Sequence, residues 1–232
     1  MPSFLDLHCH TAASFDSLSR PEAVVRAAAA RGLTHLAITD HERIDGALAA
    51  RELAPPELTV IVGEEIRTAD GDMIGLYLRD AVPPGLPAAE TARRIREQGG
   101  LVGLPHPFDR FRFSSGAQRA ADDLAELLEL ADYVEAHNAR VIGHGNIRAA
   151  ELAAARRLAS VAVSDAHTVL EVGVAYTIVD APIESPADLR AALADRRLIT
   201  GRGSYLVRAG MPFAKLIQRA RGNRRLVAAG EQ

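Results

Sequence analysis

Short apolar runs of strand length recur along this chain, separated by Ala-, Leu- and Arg-rich stretches of helical character. That alternation builds parallel βα units and argues against an all-helical or sandwich protein. About seven strands are predicted, over residues 4–10, 35–39, 59–63, 101–105, 133–136, 161–164 and 175–179, with bounds good to about two to four residues. The first helix carries several boundary signals. Ser19 and Glu22 have capping-box spacing, Pro21 sits in the first turn, and Gly32 follows the last turn at Arg31. Residues 73–78 suit an extra edge strand, 83–87 a loop, and 87–98 a helix stopped by Gly99-Gly100. At 232 residues, 48% of them hydrophobic, the chain can bury one large core, and a βα barrel of this length commonly folds as a single unit. Residues 1–205 are expected to form that domain. Residues 206–232 add a C-terminal helix and a basic tail with Lys215, Arg219, Arg221, Arg224 and Arg225, either part of the domain or frayed and solvated.

Charge narrows the partners. Lys and Arg total 27 against 30 for Asp and Glu, a net charge of -3, which makes no case for a dedicated duplex nucleic-acid binder. Small anionic substrates stay open, because the local charge of bound metal outweighs the global sign. Cys9 is the single cysteine, no apolar run approaches a membrane span, and the start MPSFLDLHCHT lacks the basic-then-apolar order of a signal peptide. The expectation is a cytoplasmic protein without disulfides or membrane contact, and no segment points to an obligate protein partner.

The polar residues able to hold metal fall at one kind of place, at or just past the C-terminal ends of the predicted strands. His8 and His10 end the first, Asp40 and His41 follow the second, Glu64 and Glu65 the third, His106 the fourth, His137 the fifth, and Asp165 with His167 the sixth. In a βα barrel these ends converge on one face, where active sites are built. In extended backbone His8 and His10, two apart, share a side and Cys9 points away. Asp16 follows a few residues later. Asp40 is read either as a ligand or, with slight preference, as the hydrogen-bond acceptor that orients His41. Mixed imidazole and carboxylate donors suit Zn, Mn or Fe better than Mg or Ca. His35, at a strand start, and His144, in a glycine-flanked loop, read as structural or surface residues.

The motifs DLHCHT (6–11), SFDS containing Asp16, ITDH (38–41), GEEI (63–66), PHP (105–107) and SDAH (164–167) together resemble the PHP family, the polymerase and histidinol phosphatase domain, from Leu5 to about Ile199. The resemblance implies an α/β fold, a single-domain distorted (β/α)7 TIM-like barrel. It also implies a metal-dependent phosphoesterase with two or three divalent ions. By the family's pattern His8, His10, Glu65 and Asp165 bind one metal, Asp16, His41 and His167 a second, and Glu65 bridges to a third also held by His106; the same pattern selects Glu65 over Glu64. Many relatives carry a further ligand histidine where this chain reads 71-GDMIGL-76. Asp72 could replace it only if the chain brings it round, and His137 is either the missing ligand or a core histidine.

The expected chemistry is hydrolysis of a phosphate ester by hydroxide generated at the metal ions, with in-line attack on phosphorus. Asp165, His167 and His106 are the candidate catalytic residues, the two imidazoles for protonating the leaving oxygen. Arg140 and Arg110, each a few residues past a strand-end histidine, are candidates for the substrate phosphate. The substrate expected is a small phosphorylated metabolite or nucleotide. The rivals are an oligonucleotide phosphodiesterase or exonuclease, a non-catalytic binding module, and a C–N amidohydrolase on a related barrel.

Overall fold

The computed structural model describes residues 1–109, 121–204, 207 and 209–226. Nine strands form one sheet: β1 (Ser3–Asp6), β2 (His35–Ile38), β3 (Thr59–Thr68), β4 (Gly71–Leu76), β5 (Leu101–Leu104), β6 (Tyr133–Asn138), β7 (Ala159–Val163), β8 (Tyr176–Val179) and β9 (Arg196–Ile199). The described helices are α1 (Pro21–Ala30), α2 (Asp45–Leu53), α3 (Ala88–Glu97), α4 (Ala121–Leu130), α5 (Gly145–Arg156), α6 (Pro186–Ala192) and α7 (Met211–Ala220). The spatial order is β7-β6-β5-β4-β3-β2-β1-β8-β9. β1–β2–β3 and β5–β6–β7 are parallel, as βα units require, whereas β4 runs antiparallel between β3 and β5, and β8 and β9 are antiparallel as well. The sheet curls into a distorted α/β barrel, and its two ends meet through side chains. Thr177 Oγ1 on β8 accepts from Ala162 N of β7 (2.9 Å) and donates to Ala162 O (3.1 Å), and the Arg196 guanidinium donates to the Ser160 carbonyl and hydroxyl.

Strand alternation sorts the apolar residues into two cores. One face of every strand from β1 to β8 supplies the barrel interior, including Leu5, Ala37, Ile61, Ile74, Leu101, Tyr133, Val161 and Val179. The other face, with Leu36, Ile38, Val60, Val62, Val102 and Val134, packs on helix residues such as Val24, Ala28, Ala50, Ile95 and Ala153. Burying these faces is the main driving force for folding, at about 25 cal/mol per Å² of apolar surface.

Two local expectations are corrected. β4 is internal and begins at Gly71, because β3 extends to Thr68 and turns straight into it as a hairpin, Thr68 pairing with Gly71. α1 has no side-chain cap: its N-cap is Arg20, and the Ser19 hydroxyl donates instead to the His167 carbonyl. Among the described C-terminal residues, Gln218 of α7 with Asn223 and Arg225 after it bond over the ligand end of the barrel.

Candidate metal centre

The ligand residues sit where strand parity sends them. On β3, Ile61 faces the interior, so Glu65 does too, while Glu64 falls on the helix side with Val60 and Val62. There Glu64 accepts from Val82 N (2.8 Å), and burial pushes its carboxyl up to about 8. On β4, Asp72 shares the inward face of Ile74 and Leu76. β1 ends at Asp6, and regular alternation ends with it: Leu5 and Leu7 belong to the interior, Cys9 to the outer layer, and His8 and His10 both reach the centre.

Among the described residues three groups of potential ligand atoms result: His8, His10 and Asp165; His10, Asp16, His41 and His167; and Glu65, Asp72 and His106. Glu65 links them. Its Oε2 lies 3.4 Å from His8 Nε2, 3.4 Å from His10 Nε2 and 3.2 Å from His41 Nδ1, and its Oε1 lies 3.0 Å from His106 Nε2. Asp16 Oδ2 is 3.5 Å from His41 Nε2 and 3.4 Å from His167 Nε2.

The donor set fits divalent cations. His8 Nδ1 lies 2.6 Å from Glu135 Oε1, His10 Nδ1 3.0 Å from Ser14 Oγ, and His167 Nδ1 2.9 Å from the Asp165 carbonyl. Each of these nitrogens meets an acceptor, so each carries the proton and leaves Nε2 a lone pair. The His8 and His10 Nε2 atoms nevertheless stand 2.9 Å apart. Two lone pairs cannot bond each other, but two ligands of one cation adopt this spacing, since bonds of about 2.1 Å place them about 3.0–3.5 Å apart. Among the described residues Glu65 Oε2 and Asp16 Oδ1 are buried without a hydrogen-bond partner, a costly state for carboxylates unless a cation neutralises it. Without a cation the groups compensate one another. Burial would lower the His8 imidazole, but Glu135, Asp165 and Glu65 hold it well above its usual range. Burial would raise Asp16, but His167 and His41 hold it well below the usual carboxylate range.

Supporting residues escaped the sequence reading. Glu135 accepts from His106 N (2.9 Å) and Asn138 Nδ2 (2.8 Å) besides holding His8, and Asn138 Nδ2 also donates to Asp165 Oδ2 (3.0 Å). Asp40, expected on His41, instead accepts from Thr11 N, Thr11 Oγ1 and Ser14 Oγ, so it steadies His10 through Ser14. Gly46 is obligatory here, because a Cβ would strike Asp40 Oδ2 and Thr11 Oγ1. The signal for Glu135 was present, as the inward partner of Tyr133 two residues away, but its role needs the fold.

His137 does not join the cluster. A bulge between Glu135 and His137 shifts the register, so Glu135 pairs with inward Val161 but His137 with outward Ala162. Its Nε2 donates to the Gly201 carbonyl (2.7 Å) and its Nδ1 accepts from Asn146 Nδ2 (3.2 Å). Arg140 is buried with Nη1 on both oxygens of Glu171 (2.8 and 3.0 Å), and Glu171 in turn accepts from His167 N. It therefore braces the His167 loop while bordering the cavity. Arg110 lies outside the described residues. His35 bonds the Ile183 carbonyl and His144 is exposed at the start of α5.

The centre opens into a cavity of about 450 Å³. Asp16, His41, Glu65 and His167 line it, together with Phe15 and the cationic Arg67, Arg140, Lys215 and Arg225.

Fold and centre together define a metal-binding α/β barrel of the hydrolase type. Residues 143–198 match the PHP-associated family model. The chain is 36% identical over 187 residues to an uncharacterized protein of Methanocaldococcus jannaschii, spanning 80% of this chain and 74% of that protein. It is 29% identical over 143 residues to a 5'-3' exoribonuclease of Haemophilus influenzae, covering 56% of this chain and 49% of the exoribonuclease. A two-domain protein from Bacteroides vulgatus containing a predicted PHP-like metal-dependent phosphoesterase superposes with a TM-score of 0.73 at 20% identity, over 87% of this chain and 65% of that one. This chain belongs to the PHP family, a family of metal-dependent hydrolases.

Proposed function

We propose that this protein is a metal-dependent phosphatase acting on a small phosphorylated metabolite or nucleotide. The observation that carries the reading is one cavity of about 450 Å³ lined both by metal-ligand side chains and by Arg67, Lys215 and Arg225. That volume is in the range of a small-molecule site, and a cationic lining beside a metal cluster suits a phosphate.

His8, His10, Glu65 and Asp165 would hold one divalent ion, Asp16, His41 and His167 a second, and Glu65, Asp72 and His106 a third. Such ions, Mn, Zn or Fe, supply hydroxide at neutral pH and neutralise charge on the phosphoryl oxygens. The chain's own part is to fix the ligands, through Glu135, Ser14 and Asn138, and to orient the substrate. Lys215 would meet its anionic groups, Arg67 and Arg225 border the same space with Arg225 held on Glu42 and Asp72, and Phe15, 4.9 Å from the His41 ring between centroids, shapes the apolar side of the cavity. Of the two imidazoles considered for the leaving oxygen, His167 borders the cavity and His106 is not among its lining residues. The His167 Nδ1 proton is held by the Asp165 carbonyl and its Nε2 is assigned to the second ion, so His167 could protonate the leaving oxygen only when released from the metal.

A second reading, hydrolysis of oligonucleotides, is favoured by the basic segment around Lys215 and Arg225 and by the likeness to the exoribonuclease. The test is turnover by Mn²⁺-supplemented protein on a nucleoside monophosphate, a 3′,5′-bisphosphate, histidinol phosphate and a short oligonucleotide. We expect monoester turnover that Asp165→Asn abolishes. Turnover of the oligonucleotide alone, falling steeply with added salt, would replace the first reading with the second. No turnover of any substrate by Mn²⁺-loaded protein would overturn both.

A further inference from the structure

The turn that carries Asp16 is irregular, and its backbone carbonyls at Ala12, Ala13, Ser14 and Ser17 face the C-terminal segment. Two carboxamides from the C-terminal segment meet them. Gln218 Nε2 lies 2.8 Å from the Ala12 carbonyl, 2.9 Å from Ser14 and 2.6 Å from Ser17. Asn223 Nδ2 lies 3.3 Å from Ala12, 2.9 Å from Ala13 and 3.2 Å from Ser14. Arg43 Nη1 donates to Asn223 Oδ1 (3.3 Å) and to the Ala13 carbonyl (3.2 Å), which turns the Asn223 amide group toward the turn.

The packing of α7 is inverted relative to an ordinary surface helix. Its buried residue is Gln218, 2% exposed, while Phe213 and Leu216 are 65% and 63% exposed. An amphipathic helix normally docks through its apolar stripe. This one is held by directed hydrogen bonds, whose donors match the carbonyls of one turn. Apolar burial tolerates sliding, but hydrogen bonds weaken steeply with angle and distance, so this contact sets the position of the turn.

We propose that Gln218 and Asn223 are positioning residues for the metal centre: by clamping the turn at residues 12–17 they fix Asp16 against His41 and His167. The C-terminal segment is thereby part of the site. Ser14, on the same turn, contacts His10 and Asp40, so the clamp also steadies the neighbouring cluster. This inference rests on the metal-centre reading above.

The test is Mn²⁺ binding by the full chain, with free ion followed by electron paramagnetic resonance, for wild type, Gln218→Leu, Asn223→Ala and the double variant, alongside melting of each metal-free protein. Residues that support metal ligands typically change affinity about 10- to 100-fold when altered. The expected result is that one class of ion weakens at least about tenfold in the double variant, another class keeps its affinity, and metal-free melting stays close to wild type. Should Gln218→Leu fail to fold, Asn223→Ala carries the test. Isotherms that superpose on wild type would overturn the clamp, as would a loss of all ion classes that tracks a fall in metal-free melting. Wild type that binds no Mn²⁺ would overturn the metal centre itself, an outcome visible before any variant is compared.

Discussion

Glu135 shows how much a single residue can carry at this site. Its two oxygens hold the His8 ring, the His106 amide and the Asn138 carboxamide, linking β6 to ligands from two other strand ends. Glu135→Gln keeps the size but turns an amide N–H toward one of these donors, so the His8 ring or the 106 turn must shift. The expected result is a folded protein whose Mn²⁺ affinity is lower by about 10- to 100-fold, measured by titration; unchanged affinity would show that Glu135 does not orient the ligands. Backbone conformation is part of the same arrangement. Asp165 and His106 adopt left-handed φ values of 52° and 25°, a state that costs of order 1–3 kcal/mol each and tends to persist at functional sites where surrounding contacts enforce it.

At the scale of elements, small departures from regularity decide which side chains meet. The β6 bulge takes His137 off the inward face and leaves Glu135 on it, while the β3–β4 hairpin places Asp72 at the ligand end, where Arg225 Nη2 reaches it at 3.3 Å. Barrel closure is equally local. Thr177 satisfies both backbone groups of Ala162 with one hydroxyl, so Thr177→Val keeps the shape but leaves a buried N–H and C=O unpaired. Destabilisation of about 1–3 kcal/mol is expected, read as a lower denaturant midpoint at unchanged slope. A loss well under 1 kcal/mol would mean that water or another group closes the seam.

For the whole molecule, a centre this rich in buried carboxylate and imidazole makes folding and metal binding one equilibrium. Mn²⁺ at about a hundred times its dissociation constant should add about 2.7 kcal/mol of stability, which in a domain of this size is a rise of about 5–10 °C in melting temperature. Chelation should reverse it. The gain should shrink as pH falls, beginning above the ordinary imidazole range, because imidazoles must be neutral to bind metal and the neighbouring carboxylates hold metal-free His8 well above that range. A melting temperature indifferent to Mn²⁺ and to chelator would contradict a metal centre. It would favour a barrel that keeps these residues for binding alone.

What the sequence determined by itself was whatever depends on local order. Apolar runs alternating with helical stretches dictated parallel βα units, the motifs' resemblance to the family implied their closure into a barrel, and polar residues at strand ends pointed to one face of convergence, because a strand's C-terminal end is fixed by its direction alone. The choice of Glu65 over Glu64 came from the motif's resemblance to the family, and in the fold strand parity from Ile61 turns Glu65 inward. Only the tertiary structure decided the rest. A bulge takes His137 from the centre, which no count of residues along an isolated strand reveals. Asp72 enters because β4 is internal and not an edge. Gln218 and Asn223, some two hundred residues from Asp16 in sequence, reach its turn across the barrel mouth, and of the basic stretch Lys215 and Arg225 line the cavity while Arg219, Arg221 and Arg224 stay exposed. Periodicity encodes which face a residue occupies; it carries no record of which distant carbonyl that face will meet.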